Sequence, residues 1–430
     1  MRSGQIDMST ASVWAASANP APPTAQISES VRADVAIVGA GYLGVTAALA
    51  LAAGGARVAV VDRGTLGEGA SALNGGQVIP GLKRSPSGLI AQLGRERGEA
   101  VTRFVMRSAD LVFGLIARHG IACDAARNGW IQAAASAAAL PEQRMRVAEL
   151  NERGGAAVLL DARETQRLIG SSATSYCGGW LNRDAGTLHP LNYLYGLVAA
   201  ALAAGARVYT RSQAVGLSWQ SPTWQLRLAH GPVVTAEQVL VCTNAYSDDL
   251  WPGLRQSILP ASSLQIATAP LPAALLAQIL PQGQAVSDSR RVMNYFRVGP
   301  QGRFMIGGRG PFRAARSGDY EGLIRAMRRL YPQLQSVAIE HRWAGQVALT
   351  RDFLPHVHQP QPGLWCVLGC NGRGIALASA LGTAIGGQLL GHADSHPFAV
   401  TPLRRLPLHR LHRLYAGGLI QYFRLLDRFG

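Results

Sequence analysis

The order of apolar runs near the start of the chain predicts a strand, a helix and a second strand. Residues 33–64 have the sequence ADVAIVGAGYLGVTAALALAAGGARVAVVDRG, with apolar runs at 35–38 and 58–61. A glycine turn and an alanine-rich stretch of helical length separate the two runs. This order is typical of a βαβ unit, in which both strands enter one parallel sheet.

The pattern along the rest of the chain predicts two kinds of domain. A helix followed by a strand recurs at 188–210, and a strand, a turn and a helix recur at 363–390. Between 255 and 315 the pattern changes to short alternating stretches such as RVMNYFRV and GRFMIGGR, which are typical of an antiparallel sheet. We therefore predict an α/β domain with a parallel sheet, interrupted by an α+β domain with an antiparallel sheet.

These patterns set the predicted domain boundaries. A chain of 430 residues exceeds the size of most single cores, so two domains are expected. The α/β domain is predicted to be discontinuous, and the second domain fills its gaps. The predicted boundaries are 31–120, 187–254 and 341–400 for the α/β domain, 121–186 and 255–340 for the second domain, 1–30 for an extended N-terminal arm, and 401–430 for a C-terminal helical tail.

The composition indicates a globular protein. Hydrophobic residues make up 48% of the chain and charged residues 15%, which excludes a disordered chain. The net charge of +16 would permit binding to nucleic acid or to an anionic membrane surface. The arginines are scattered outside the C-terminal tail, and the sequence has no recognised nucleic-acid module, so nucleic acid is not the expected partner.

The cysteines indicate a reducing compartment. Their number is five, and no CxxC pair or cluster with histidine has the spacing of zinc ligands. Reduced thiols in the cytoplasm are the simplest interpretation. The N-terminal residues lack the apolar core of a signal peptide, and no apolar run is long enough to span a bilayer. We therefore expect a soluble cytoplasmic protein without a metal site.

A glycine motif follows the first predicted strand. Gly39, Gly41 and Gly44 form GxGxxG at the start of the predicted helix, and Asp62 ends the next strand. The glycines allow a tight turn, a close approach of the backbone to a pyrophosphate, and close packing of helix and strand. Asp62 lies at the distance expected for a carboxylate that binds ribose hydroxyls. The motif predicts a dinucleotide-binding site; the alternative, a glycine-rich turn in an ordinary α/β fold, is disfavoured by this context.

The segments after this motif resemble one family of flavoenzymes. RGTLGEGASALNGGQ, directly after Asp62, is similar to the second dinucleotide segment of the D-amino-acid-oxidase-like FAD enzymes. ARVYTRSQAVGL, VLVCTNAYS, RWAGQVALTRDFLPHV and GCNGRGIALASALG resemble later motifs of this family in the same order. The resemblance covers residues 11–400 and is closest to the gamma-glutamylputrescine oxidoreductases, through SVWAASANPAPPT and NGGQVIPGLK. It implies a Rossmann-like FAD-binding domain, an antiparallel β-sheet substrate domain, and FAD as the cofactor.

The resemblance also implies which residues contact FAD. Val215 would present its backbone to the adenine, and the closing glycine loop would face the flavin. Arg373 stands where a histidine is commoner in the family, and Asp62 stands for the usual glutamate. The implied FAD-binding residues are Gly39, Gly41, Tyr42, Leu43, Gly44, Asp62, Arg63, Ser71, Asn74, Gly75, Gly76, Gln77, Val215, Gly345, Asn371, Gly372, Arg373, Gly374 and Ile375.

The resemblance favours a small-molecule amine as the substrate. Glycine-oxidase-like members carry an arginine two residues after W-x-G, where this chain has Val347. A valine cannot pair with a carboxylate, so a simple α-amino acid held in that manner is disfavoured. The second domain offers three other carboxylate partners, although each could equally lie on a solvated strand face. They are Arg297, Arg303 and Arg309.

The expected reaction is transfer of a hydride from a carbon that bears an amine to FAD, followed by hydrolysis of the imine. The electrons then pass to oxygen or to another acceptor. A deprotonated amine can release hydride directly, so no acid–base pair is required, and none is evident in the sequence. Trp343 and Asp352, in the family's flavin-side element, are candidate catalytic residues of the pocket, and His356 lies nearby.

Lys83 is the one lysine among 41 basic residues, and it follows the loop that is expected to contact the flavin. A compact ammonium near the flavin can stabilise the negative charge that develops when oxygen is reduced. We therefore predict that Lys83 is a catalytic residue that activates oxygen or orients the substrate. The alternative is that residues 83–86 form an exposed turn.

Residues 401–430 leave two interpretations open. They mix leucines, aromatic residues and arginines with few acids. A helix that docks on its own domain, with its arginines outward, is favoured over a basic amphipathic helix on an anionic membrane. The membrane interpretation would imply an amino-acid dehydrogenase that passes electrons to quinone. A rival of another class is a basic flavoprotein without catalytic activity that binds nucleic acid.

Overall fold

The strands of the protein form two large sheets and a two-stranded ladder. A computed structural model describes residues 12–172, 175–392 and 395–429. The strands are β1 (Val31–Val38), β2 (Val58–Val61), β3 (Gln77–Val78), β4 (Trp130–Ala133), β5 (Ala157–Leu160), β6 (Gly179–Asn182), β7 (Gly186–Thr187), β8 (Arg207–Tyr209), β9 (Ala214–Gln220), β10 (Thr223–Leu228), β11 (Val233–Val241), β12 (Leu259–Pro270), β13 (Ala285–Asp288), β14 (Asn294–Val298), β15 (Arg303–Arg309), β16 (Ile339–Leu349), β17 (His356–Gln361) and β18 (Leu364–Leu368). The helices are α1 (Val13–Ala16), α2 (Tyr42–Ala53), α3 (Ala70–Leu73), α4 (Pro86–Leu93), α5 (Arg95–Met106), α6 (Ser108–His119), α7 (Leu140–Asn151), α8 (Ala162–Ile169), α9 (Pro190–Ala203), α10 (Ala273–Leu276), α11 (Glu321–Leu330), α12 (Gly374–Leu389) and α13 (His412–Phe429).

The first sheet is built around β1, and its central strands are parallel. Its order is β17-β18-β11-β1-β2-β8, and the hairpin of β9 and β10 extends it beside β11. β1 pairs with β2 on one side and with β11 on the other, so Val38 lies opposite both Val61 and Val241. The carboxyl ends of these strands meet at one edge, where open parallel sheets bind ligands. The predicted βαβ unit is confirmed as β1, α2 and β2.

Two small-residue helices pack closely beside this sheet. A Cβ on Gly382 of α12 would overlap the hydroxyl of Thr46 on α2, so only glycine allows this approach. Gly386, one turn further along α12, packs against Ala47 and Ala50 of α2. From Gly382 to Gly386 the contacted residues move from Thr46 to Ala47 and Ala50, toward the C-terminus of both helices. The two helices therefore run parallel. They therefore begin on the same side of the molecule, at the ligand-binding edge of the sheet.

The second sheet is antiparallel except for one pair. Its order is β16-β12-β15-β14-β13-β4-β6-β5, and β4 runs parallel to β13. This pair is the exception to the predicted antiparallel sheet; strands from separate parts of the chain can pair in either direction. One boundary also differs from the prediction. Trp343 of β16 lies opposite Gln265 of β12, so residues 341–349 belong to the second sheet and not to the first.

The N-terminal arm is not extended throughout. Residues 1–11 of the predicted arm lie outside the described residues. Val13–Ala16 form α1, and Ser12 is its N-cap, because the hydroxyl of Ser12 accepts a hydrogen bond from the amide of Ala15. Trp14 in this helix is fully buried, and its Nε1 donates to the carbonyl oxygen of Asn74 at 2.8 Å. The prediction is wrong at α1, because burial of the indole stabilises a helical turn there.

The C-terminal tail contains one long helix. Residues 401–406 have no helical structure, a 3₁₀ turn occupies His409–Leu411, and α13 follows at His412–Phe429. Within the predicted helical tail, helical structure occupies only the second part, and Gly430 lies outside the described residues. Within the described part of the chain, no helix has the length and apolar composition needed to cross a membrane.

Candidate active site

Residues from both sheets line a cavity of about 950 Å³. On one side lie the carboxyl ends of the parallel strands, including Val38 of β1 and Val61 of β2. On the other side lie residues of the second sheet, including Ser263 of β12, Ser287 of β13 and Arg309 of β15. A ligand that fills this cavity would therefore contact both sheets.

The glycine motif lies at the edge of the cavity, where β1 passes into α2. Gly39 has a φ of +110°, a conformation that favours glycine. A Cβ on Gly44 would overlap the carbonyl oxygen of Gly39, so this glycine allows the helix to approach the turn. Gly41 is the N-cap of α2, and both Gly41 and Tyr42 line the cavity. The turn and the helix N-terminus form a cradle for an anion such as a pyrophosphate.

Asp62 connects the glycine turn with the end of β2. Its Oδ2 accepts from the amide of Ala40 at 2.8 Å, and its Oδ1 accepts from the amide of Gly64 at 3.0 Å. Burial raises the pKa of the Asp62 carboxyl, and the two amide hydrogen bonds oppose that rise. Asp62 lines the cavity, and a carboxylate oxygen accepts more than one hydrogen bond. The side chain can therefore also accept from ribose hydroxyls.

Gln77 places an unpaired amide beside the cavity. Its Nε2 is buried and has no protein acceptor among the described residues. The preceding loop is fixed, since the amide of Gly76 donates to Oδ1 of Asn74 at 2.9 Å. A buried donor without a partner is costly, so this amide fits a ligand that offers an acceptor atom. With the anion cradle and Asp62, this donor fits FAD, whose flavin ring carries carbonyl oxygens.

Most of the predicted FAD-binding residues line this cavity. The fold brings them together from four separate segments of the chain. They are Gly39, Gly41, Tyr42, Leu43, Asp62, Arg63, Ser71, Asn74, Gly75, Gln77, Gly345, Gly372, Arg373, Gly374 and Ile375.

Two predicted FAD-binding glycines lie behind the cavity lining. Gly44 packs against Gly39, as described above. Gly76 lies next to Leu188, and its carbonyl oxygen accepts from Nη1 of Arg297 at 2.7 Å. Both glycines are enclosed by protein atoms and do not line the cavity, and their contact with FAD stays a prediction. They shape the loops whose neighbouring residues line the cavity.

Asn371 and Val215 also lie outside the lining. The side-chain oxygen of Asn371 accepts from the amide of Thr350 at 3.0 Å, which connects the closing loop with the end of β16. Val215 is 43% exposed at the start of β9, and the preceding Ala214 lines the cavity in its place. The side chain of Asn371 bonds to protein and that of Val215 faces solvent, so the predicted contact of the Val215 backbone with the adenine stays a prediction.

The structure places neither Trp343 nor Asp352 in the cavity lining. Trp343 is buried, and its Nε1 donates to the carbonyl oxygen of Leu73 at 3.3 Å. Asp352 lies 3.0 Å from Nε2 of His356. Burial alone would raise the pKa of Asp352, but the hydrogen bond and charge of His356 lower it to about 2. Each side chain is engaged by protein partners, Trp343 at Leu73 and Asp352 at His356, and their role as catalytic residues stays a prediction.

Lys83 lines the cavity, and among the arginines that also line it, Arg309 and Arg373 are those whose charges act on Lys83. Burial and the charges of these arginines lower the pKa of Lys83 to about 8. Burial also lowers the pKa of Arg309, and it lowers that of Arg373 to about 9. Among the described residues, no ion pair connects any of the three with an acid. We call these three residues the cation cluster.

Two arginines, the buried Arg146 and the partly buried Arg373, hold the loop that carries Lys83. Nη1 of Arg146 donates to the carbonyl oxygen of Lys83 at 2.8 Å, and Arg146 also donates to the carbonyl oxygens of Leu82 and Arg84. Nη1 of Arg373 donates to the carbonyl oxygen of Pro80 at 3.1 Å. The side chain of Lys83 is partly buried and lines the cavity, whereas Arg84 is exposed.

Only one of the three arginines proposed as carboxylate partners reaches the cavity within the described part of the chain. Arg309 lines it, and Tyr295 lies beside it with its hydroxyl 2.6 Å from the hydroxyl of Ser263. Arg297 donates to the main-chain oxygens of Gly76 and Leu188 and supports the flavin-side loop. Arg303 points away and pairs with Glu340.

Sequence reasoning missed several cavity residues. Arg146 comes from α7, and Asp288 from the end of β13, where it is buried and paired with Arg290. Burial raises the pKa of Asp288, and the charge of Arg290 opposes that rise. The signal for Asp288 was its position at the end of an apolar strand. Arg146 had no comparable signal, since arginine is the general surface cation of this chain.

Comparison with known proteins identifies the family. The model of the family described as "DAO: FAD dependent oxidoreductase" matches residues 34–387. The chain belongs to the DAO family of FAD-dependent oxidoreductases. The predictions of a DAO-family flavoenzyme and of FAD as its cofactor are confirmed.

Relatives match this DAO-family enzyme over nearly its whole length. The gamma-glutamylputrescine oxidoreductase of Escherichia coli is 31% identical over 429 residues, covering 98% of this chain and 99% of that protein. The probable oxidoreductase OrdL of Haemophilus influenzae is 28% identical over 432 residues, covering 95% of this chain and 94% of that protein. The crystal structure of glycine oxidase from Geobacillus kaustophilus matches with a TM-score of 0.72 at 22% identity, covering 86% of this chain and 98% of that one. This last likeness confirms the fold.

Proposed function

We propose that this enzyme oxidises the C–N bond of a small amine that also carries a carboxylate, and that gamma-glutamylputrescine is the substrate to test first. The cation cluster of Lys83, Arg309 and Arg373 is the observation that supports this proposal. Three partly buried positive charges that have no ion pair among the described residues would be stabilised by an anionic substrate group. The gamma-glutamyl group supplies such a carboxylate at the end opposite to the reacting amine.

The relatives and the lining of the cavity support the same substrate class. The Escherichia coli relative is named for gamma-glutamylputrescine, and its similarity extends over the full chain. Val347 lines the cavity at the position where the glycine-oxidase-like pattern has an arginine. The carboxylate of a simple α-amino acid would find an apolar side chain there. We therefore place the carboxylate at the cation cluster.

In the proposed reaction the cofactor accepts the hydride, and the protein binds and orients the substrate. FAD accepts the hydride that leaves the carbon next to the amine. The nitrogen lone pair then forms the C=N bond, a proton leaves the nitrogen, and water hydrolyses the imine to an aldehyde and ammonia. In our proposal, Lys83 and Arg309 bind the carboxylate, and Tyr295 and Val347 line the path of the chain. Holding the substrate at its far end supplies orientation, which lowers the entropic part of the barrier.

We also propose roles for the two sheets and for Lys83. The first sheet and its helices bind FAD, and the second sheet covers the substrate. Lys83 is proposed to orient the substrate, and its ammonium would also favour reduction of oxygen if oxygen is the acceptor. All five cysteines are free thiols, which supports a cytoplasmic location for the enzyme.

The experiment that tests this function is anaerobic mixing of the FAD-loaded protein with four amines. These are gamma-glutamylputrescine, putrescine, sarcosine and a D-amino acid, and the measured quantity is bleaching of the flavin absorption band. We expect gamma-glutamylputrescine to bleach the band at least about tenfold faster than putrescine at equal low concentration, because putrescine lacks the carboxylate. Equal rates would refute the carboxylate requirement. Bleaching by none of the four would refute the proposed substrate class.

Admitting air afterwards identifies the acceptor. Rapid return of the yellow colour would assign an oxidase, and slow return would assign a dehydrogenase with another acceptor. The matched variants are Arg309→Met and Arg303→Met. The first removes a member of the cation cluster, and the second removes an arginine that pairs outside the cavity. Only the first is expected to reduce the preference for the carboxylate.

A further inference from the structure

Exposed apolar side chains concentrate on the C-terminal segment. The described residues include twelve large hydrophobic side chains that are exposed, and six of them lie between 408 and 422. Isolated exposed apolar residues need no explanation, but a contiguous group marks an interaction surface. We call this group the tail surface. It consists of Leu408, Leu411, Leu414, Tyr415, Leu419 and Tyr422.

The tail surface follows the outward side of α13. Leu411, Leu414 and Tyr415 are spaced by three and four residues, and Tyr422 lies two turns further on the same side. Leu414 is 73% exposed, whereas Ala416 on the opposite side is 5% exposed. The helix therefore already has a buried side against the protein, and a second apolar side remains uncovered within the described chain.

The inward side of α13 is fixed by specific contacts. Oδ2 of Asp427 accepts from the amide of Val292 at 2.8 Å, and its Oδ1 accepts from the amide of Arg291 at 3.1 Å. The ring of His412 packs edge-on against Phe312 at 6.3 Å. Arg291 lines the cavity, so α13 is fixed to a loop of the substrate side. The orientation of the tail surface is therefore set by the fold, and the surface does not belong to a free peptide.

The charges of residues 401–430 indicate which kind of partner fits the tail surface. Residues 401–430 contain six arginines and one acid, Asp427, which is occupied by its contacts with the loop. Arg404, Arg405, Arg410 and Arg413 are exposed beside the apolar residues. Leucines and tyrosines flanked by arginines match the interface of an anionic lipid bilayer, where apolar groups enter the acyl boundary and cations meet the headgroups. A second copy of this chain would bring the same positive charge and would be repelled.

We propose that the tail surface binds an anionic membrane surface and holds the enzyme there with α13 lying in the interface. This inference is independent of the substrate proposed above, because it rests on α13 and the residues that precede it. Leu414 and Leu419 enter the lipid, and Arg410 and Arg413 contact the headgroups. Asp427 keeps the helix on its own protein while its other side is in the membrane.

Vesicle co-sedimentation of the full-length FAD-loaded protein tests this proposal. Vesicles of phosphatidylcholine with phosphatidylglycerol are compared with vesicles of phosphatidylcholine alone. We expect at least about tenfold tighter binding to the anionic vesicles, and weaker binding as salt is raised, because each arginine near the surface contributes electrostatic attraction. The double variant Leu414→Glu with Leu419→Glu is expected to lose at least about tenfold in this binding.

The control is the double variant Met145→Glu with Leu159→Glu. These side chains are 49% and 44% exposed and lie far from α13 in the sequence, so vesicle binding should stay within about twofold of the parent. Retention of the flavin band by both variants reports that each is folded. Binding that is equal for both vesicle types, absent for both, or unchanged in the Leu414/Leu419 variant would overturn the proposal. So would a dimer that this variant dissociates, since a second copy would then cover the surface.

Discussion

Arg146 binds the main chain of Lys83: its Nη1 donates to the carbonyl oxygen of Lys83 at 2.8 Å, although the two residues are 63 positions apart. The same guanidinium also donates to the carbonyl oxygens of Leu82 and Arg84. Three carbonyls of one loop therefore share one buried side chain. Only a planar group with five donors can satisfy such a set, which explains arginine at position 146. The side chain of Lys83 is directed into the cavity by a fixed backbone.

Replacement of Arg146 by lysine tests this relationship. A single ammonium cannot reach all three carbonyls, so the variant should lose about 1 to 3 kcal/mol of unfolding free energy for each carbonyl left without a donor. The loop should also become less ordered. We expect the KM for a carboxylate-bearing amine to rise by about tenfold, equivalent to about 1.4 kcal/mol. The limiting rate of flavin reduction should change much less, because Arg146 positions Lys83 and is not proposed to contact the reacting atoms.

A matched control for this variant lies just beyond the end of the same helix. Arg153 donates to both carboxylate oxygens of Glu99, at 2.9 and 2.7 Å, and is also mostly buried. Arg153→Lys should cost stability without altering the preference for carboxylate-bearing amines. If Arg153→Lys raises this KM as much as Arg146→Lys does, the effect is a general consequence of destabilisation, and the positioning role is wrong.

Gly44→Ala tests the anion cradle. The new methyl group would overlap the carbonyl oxygen of Gly39, which is a backbone atom and cannot rotate away. We expect the helix to be displaced from the turn, with an overpacking cost of about 1 to 3 kcal/mol and weaker retention of FAD during gel filtration. The control is Gly114→Ala, a helical position with no atom within 4 Å of the added carbon. It should retain FAD and be neutral or slightly more stable.

The cofactor side of the cavity could be predicted because its determinants are local in sequence. Gly39, Gly44 and Asp62 belong to a single βαβ unit, and the geometry of that unit is nearly independent of the rest of the chain. The same locality explains why the order of strands and helices around them was predictable. The resemblance then selected FAD over other dinucleotides.

The substrate side could not be predicted in the same way. Lys83 and Arg309 approach each other from segments that are more than two hundred residues apart, and no local pattern tells which arginine faces a cavity. Asp352 is the converse case: its sequence motif suggested a position in the pocket, but the residue does not line the cavity. It lies in a motif near the flavin-side strand, but a turn with Phe353 at a φ of +60° follows it, and its carboxylate bonds to His356. Proximity in the sequence did not determine the direction of the side chain.

Lys83→Met should stabilise the protein at neutral pH. Burial and two neighbouring arginines lower the pKa of Lys83 from 10.5 to about 8, a change on the order of 3 kcal/mol in the free energy of the charged form. Because the folded-state pKa lies below the unfolded one, this cost is present in full below about pH 8 and disappears above 10.5. Urea unfolding of the FAD-saturated proteins at pH 7 should give a higher unfolding free energy for Lys83→Met than for the parent. Lys83→Arg keeps the positive charge and should show no such increase. An unfolding free energy for Lys83→Met that equals or falls below that of the parent would contradict burial of the charge.

The affinity for a carboxylate should depend on the protonation of Lys83. Pentanoate carries a carboxylate and no amine, so its own charge is constant from pH 6 to 9, and its binding can be followed through perturbation of the flavin spectrum. Burial lowers the pKa of Lys83 most, the charges of Arg309 and Arg373 lower it further, Cys370 opposes them, and the result is a pKa of about 8. The dissociation constant should be flat below about pH 7 and should rise above about pH 8, approaching tenfold per pH unit as the ammonium is lost. In Lys83→Arg the guanidinium keeps its charge, so the rise should begin at higher pH. A dissociation constant for the parent that is constant across this range would show that Lys83 does not bind the carboxylate.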